Sequence, residues 1–86
     1  QTMYILDTSN YRVLRWQMGD TLGYVVAGGN GNGGAFTQMG ASYGMFVTDS
    51  YNIYISEQSN HRVMKWLNGN TTAGVLVIYH FIARNL

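Results

Sequence analysis

Tyr54-Ile55-Ser56-Glu57-Gln58-Ser59-Asn60-His61-Arg62-Val63-Met64-Lys65-Trp66 occurs twice in this chain. The first copy is Tyr4-Ile5-Leu6-Asp7-Thr8-Ser9-Asn10-Tyr11-Arg12-Val13-Leu14-Arg15-Trp16, so corresponding residues lie 50 apart. Seven of the thirteen positions are identical, and Asp/Glu, Leu/Met and Arg/Lys make three more similar pairs. A repeat at this period predicts a propeller or an array of like units. Each copy runs from strand formers through a polar turn cluster into an alternating segment. That pattern predicts a hairpin with a short connection.

The same reading extends outward along the chain. Strands are expected over residues 3–6, 12–16 and 24–27, and then over 44–48, 53–56, 62–67 and 75–79. Gly19 and Asp20 supply turn chemistry after the first Trp. Between the two groups lies Gly28-Gly29-Asn30-Gly31-Asn32-Gly33-Gly34, whose five Gly and two Asn tolerate positive φ. It reads as a crossover between neighbouring sheets. A phosphate cradle is the rival reading, but the Lys-Ser/Thr ending and the following helix that such a loop needs are missing. The expected organisation is a partial three-stranded blade over 1–27, a Gly-rich crossover over 28–43, a full four-stranded blade over 44–79, and an atypical tail over 80–86. In that tail bulky apolar residues replace the glycines that follow the third strand of the first copy.

The fold class that follows is all-β: two antiparallel meander blades of a β-propeller, about seven strands, not closed on its own. Composition agrees. The chain has 86 residues, 47% hydrophobic and 10% charged, with 11 Gly, 7 Tyr and no Pro. It can build a core and is rich in strand and turn formers. A net charge of +1 argues against a general polyanion-binding surface. The absence of Cys excludes disulfides and thiolate metal sites and leaves the compartment open. No signal peptide is visible, and the longest apolar run, Val75 to Tyr79, is far short of the roughly 18 residues of a spanning helix.

The motif Tyr-Ile-x-(Asp/Glu)-x-x-Asn-x-Arg-Val-x-(Lys/Arg)-Trp, with Gly44-Met45-Phe46-Val47-Thr48-Asp49 before it and Val-Ala-Gly-Gly-Asn-Gly as the link, resembles the NHL repeat. The resemblance covers roughly residues 3–77, with Asn60-His61-Arg62-Val63 and Asn10-Tyr11-Arg12-Val13 at the naming motif. It implies four-stranded blades set radially in a propeller. Ser42 stands where the family commonly carries Pro, which is expected to loosen the start of the blade's first strand. Tyr11 replaces His in the first copy.

Physical chemistry assigns the repeated residues structural roles. Tyr4, Tyr54, Trp16 and Trp66 suit packing between adjacent sheets. Val13 and Val63 are strand-forming core residues. Asn10 and Asn60 are expected to take the left-handed turn conformation. Asp7 with Arg12, and Glu57 with Arg62, share a five-residue spacing that closes each hairpin by a charge-assisted hydrogen bond. Repetition once per unit marks a structural device, because a site breaks repeat symmetry while packing preserves it. No catalytic, cofactor-binding or metal-binding residue is assigned. His61 lacks a second His at ligand spacing, and His80 lies in the tail. Arg12 and Arg15, like Arg62 and Lys65, are three apart, so on a strand each pair points to opposite faces and makes a poor basic patch.

Fewer than two blades leave apolar faces and strand edges open to water. The expected partners are therefore proteins or further blades of the same propeller, with nucleic acid disfavoured and no membrane. The expected function is a non-enzymatic interaction scaffold, the chain being a propeller fragment. The alternatives are part of a propeller lyase or hydrolase, with Asp49 as the single acidic candidate near the channel-lining strand, or an RNA-binding module.

Overall fold

Alternating apolar and polar residues in both copies of the repeat become paired strands. The computed structural model describes residues 1–79, so the atypical tail over 80–86, with His80, lies outside the described residues. The strands are β1 Thr2–Asp7, β2 Arg12–Gln17 and β3 Tyr24–Gly28, then β4 Ser42–Val47, β5 Ile53–Glu57, β6 Arg62–Trp66 and β7 Val75–Tyr79. They form two antiparallel meanders, ordered β1-β2-β3 and β4-β5-β6-β7. The chain is all-β, and its two blade-like sheets do not close into a ring. The first sheet has no strand before β1, where the second has β4.

The two sheets repeat one register. On one face of the first, Met3 pairs with Trp16, Ile5 with Leu14 and Asp7 with Arg12. On the same face of the second, Ile53 pairs with Trp66, Ile55 with Met64 and Glu57 with Arg62. A bulge falls between Val13 and Leu14 in one and between Val63 and Met64 in the other. We call this face the front. The back of the first sheet carries Tyr4, Leu6, Val13 and Arg15, because side chains alternate along a strand.

The core lies where the back of the first sheet meets the front of the second. Val13 and Ala27 come from the first, Ile53, Ile55, Met64 and Trp66 from the second, and Met39 from the crossover. Each fully buried large apolar side chain is worth about 1.5–3 kcal/mol. One seam therefore supplies most of the apolar burial in the chain.

Both hairpin turns reverse through a left-handed residue, but that residue is not the Asn. Tyr11 has φ 55° and His61 φ 51°. Asn10 and Asn60 instead spend their side-chain amides on the turn's acid. Asn10 donates to Asp7 at 3.0 Å, and Asn60 donates to Glu57 at 2.9 Å. An Asn committed in this way is held in place, and the reversal passes to the next residue. Ser42 is the buried first residue of β4, and the register with β5 shifts between it and Gly44. Its hydroxyl donates to the Gly40 carbonyl at 2.9 Å, and its own carbonyl accepts from the Thr8 hydroxyl of the first sheet at 3.0 Å.

Candidate interaction face and the inter-sheet seam

The Glu57–Arg62 pair is the best-connected polar group in the molecule. Both side chains are fully buried, and their N–O separation is 2.9 Å. Arg62 also donates to three carbonyls of the crossover: Gly34 at 2.7 Å, and Ala35 and Gln38 at 3.1 Å each. Its guanidinium lies 5.9 Å from the Phe36 ring centroid. Glu57 Oε1 accepts from the Gly40 amide at 3.0 Å. The crossover is therefore folded onto the front of the second sheet around one arginine. A rigid planar fork suits this task, because each N–H points at a different acceptor.

This geometry also decides the chemistry of the Gly-rich stretch. Its Gly34 carbonyl accepts from the Arg62 guanidinium and its Gly33 carbonyl from the Asn60 side-chain amide at 2.9 Å. The Gly29 amide is already used by the Tyr11 carbonyl. A phosphate cradle needs converging free amides.

The equivalent residues of the first sheet meet a different environment. Arg12 Nε donates to Asp7 at 2.9 Å, yet the two side chains are 36% and 23% exposed. The rest of the Arg12 fork has no acceptor among the described residues. Hydrogen bonds from Asn10 and then Arg12 hold the Asp7 carboxyl below its ordinary 3.8, and partial desolvation opposes them. Met3 is 56% and Ile5 36% exposed, where their counterparts Ile53 and Ile55 are buried. Leu14 and Trp16 are half-buried. An open depression of about 390 Å³ lies beside Met3 and Trp16. The front of the first sheet thus carries an equivalent ladder to the front of the second, and no described residues form a covering layer over it. The back of the second sheet is also open. Ile78, which pairs with Val63, is 50% exposed, whereas Ala27, which pairs with Val13, is buried.

Tyr and Trp divide between the two faces. Tyr4 stacks on Tyr51 across the seam, with centroids 6.5 Å apart and planes 20° off parallel. Trp66 fills the seam from the other side. Tyr54 faces away from it and carries the Lys65 ammonium 5.6 Å from its ring centroid. The four lysines and arginines among the described residues do not share a face. Arg62 is interior, Lys65 rests on Tyr54, and Arg12 and Arg15 take opposite sides of β2. His61 is exposed in its turn. Among the described residues no three of His, Cys, Asp and Glu come together.

The chain matches no protein-family model and no curated protein.

Sequence reasoning missed two features. The covering role of the crossover was hidden, because carbonyl acceptors carry no residue signature. The cleft that Arg15 lines was hidden as well, because Tyr51 and Asn68 are brought to its walls only when the sheets pack.

Proposed function

We propose that the chain is a protein-interaction scaffold built from a pair of NHL-like blades, with the front of the first sheet as its docking face. One observation carries this reading: an equivalent cross-strand ladder is buried in the second sheet and partly exposed in the first. The covered copy shows what such a face accepts. It takes a packed sheet plus a loop that offers backbone carbonyls to the arginine fork. The partner that suits the partly exposed copy is a polypeptide of that kind, laying apolar side chains on Met3, Ile5 and Leu14 and carbonyls on Arg12. No described strand pairs with the outer edge of β1, which adds main-chain donors and acceptors for an extra strand. Buried apolar area supplies the affinity, and the Asp7–Arg12 pair sets the register.

A peptide with the sequence of residues 33–47 tests the reading, since this segment performs both tasks in the second sheet. Added to the intact chain, it is expected to slow amide exchange in β1. Ile5→Lys and Arg12→Ala should each remove the effect. Unchanged exchange in β1 at saturating peptide, or protection that survives both substitutions, would exclude the docking face.

A further inference from the structure

Arg15 breaks the repeat. Its cross-strand partner is Tyr4, as Lys65 is paired with Tyr54. Lys65 rests its charge on that tyrosine's ring. In the first sheet the Tyr4 ring is stacked on Tyr51 instead. Arg15 Nε is shielded from solvent and has no hydrogen-bond partner, and its guanidinium has no ion pair among the described residues. The shielded Nε is closed to water and so to a ligand oxygen; the terminal guanidinium nitrogens, which have no acceptor among the described residues, are the donors that remain for a ligand.

The surroundings select the ligand. Arg15 opens into a cleft of about 260 Å³ at the end of the seam, walled by Tyr4, Tyr24 and Tyr51, with Asn68 and Thr71 on the far side. Arg15, Tyr4, Tyr51 and Asn68 also border a smaller depression next to it. No acidic residue lines either. The three tyrosine hydroxyls and the Asn68 side-chain amide make no hydrogen bond among the described residues, so they are free to donate. Nothing in the cleft repels negative charge, and the arginine fork matches a two-oxygen anion. The cleft is smaller than the roughly 300–1,000 Å³ typical of sites for drug-sized ligands. It takes a small anion, and the aromatic walls favour a flat body behind the charged group.

We propose that this cleft is a binding site for a small oxyanion, a carboxylate or phosphate group carried on a flat ring, held by Arg15 with Asn68 and the tyrosine hydroxyls. The site needs both sheets, because Arg15, Tyr4 and Tyr24 come from one and Tyr51 and Asn68 follow strands of the other. It lies on the opposite face of the first sheet from the docking face, so either can fail without the other.

Titration of the intact chain with phenyl phosphate and, separately, benzoate tests the site by heteronuclear NMR. Saturable shifts are expected at the Arg15 guanidinium N–H groups and the Asn68 side-chain amide, and neutral benzamide should produce none. Saturation by one anion alone assigns the site to that class, and saturation by both to oxyanions in general. Arg15→Gln should weaken binding about tenfold or more, and Arg12→Gln, on the other face, should leave it unchanged. Asn68→Ala, in an exposed turn, serves where Arg15→Gln fails to fold, with an expected loss of about threefold. Absence of saturation by either anion, equal shifts from benzamide, or an equal loss in Arg12→Gln would overturn the assignment.

Discussion

Arg62→Ala and Arg12→Ala remove the same residue from the same position of the repeat, and the structure predicts very different outcomes. Arg62→Ala strands a fully buried Glu57 carboxylate, whose Oε1 loses its only cationic partner. Removing one member of a buried ion pair costs about 3–5 kcal/mol. The three crossover carbonyls that lose a donor lie in a partly exposed loop and regain water, so they add little. At about 0.05–0.15 kcal/mol per residue, a chain of 86 residues has a total stability of about 4–13 kcal/mol. The substitution therefore removes a large share of it. Arg12 is more than a third exposed and its pair is screened by water, so its removal should be hard to distinguish from wild type. Urea unfolding followed by tryptophan fluorescence measures both. With a slope of about 1 kcal/mol per molar for a small domain, the Arg62→Ala midpoint falls by about 3 M or the chain is already unfolded. Arg62→Lys, which keeps the charge and loses the fork, should fall between. Equal shifts for the two alanine variants, or a loss below about 1 kcal/mol at Arg62, would show that the crossover does not depend on this pair.

Asp7 makes stability depend on acid. Its folded pKa is lowered, so its contribution is complete above the unfolded value and is lost as pH falls through the ordinary 3.8 toward the folded value. Urea midpoints from about pH 6 to about pH 3 should show a slope that Asp7→Asn flattens. Gly28 has φ 67°, and an added Cβ would fall 2.5 Å from the Tyr11 carbonyl oxygen. Gly28→Ala is expected to cost about 2 kcal/mol or more, read as a fall in Tm of about 8 °C or more. His61 occupies the left-handed region with an exposed side chain. His61→Val should lower stability by about 1–2 kcal/mol in thermal melts, while His61→Asn should leave it nearly unchanged.

The strands were legible because period-two alternation is a local property. Val13, read as a core residue from its own strand, is buried, whereas Val63, read the same way, is only half-buried on the open back of the second sheet. The turn chemistry was half legible. Asn10 and Asn60 marked both reversals, but the sequence does not show that their amides would bind the acids and pass the left-handed conformation to Tyr11 and His61. Burial was not legible from the motif. Asp7-x4-Arg12 and Glu57-x4-Arg62 read alike, and only the crossover lying over one pair makes it interior. The Arg15 cleft was least legible, because Tyr51 and Asn68 lie 36 and 53 residues beyond Arg15 and meet it only through packing.

The two copies act as an internal control for one another. Register, bulge and ladder are shared, so these features do not explain why Ile55 is buried and Ile5 is 36% exposed. The remaining variables are β4, which flanks β5 and has no counterpart beside β1, and what lies on top. In the second sheet that cover is the back of the first sheet together with the loop from Gly33 to Gly40. The covering layer and the extra strand, not the motif, therefore determine burial, and any difference between equivalent substitutions in the two copies measures the two together. Where the copies differ because one is covered, the difference reports the cover. Arg15 differs from Lys65 for the same reason: the back of the first sheet is covered, so Tyr51 takes the Tyr4 ring, whereas on the open back of the second sheet the Tyr54 ring is left to Lys65.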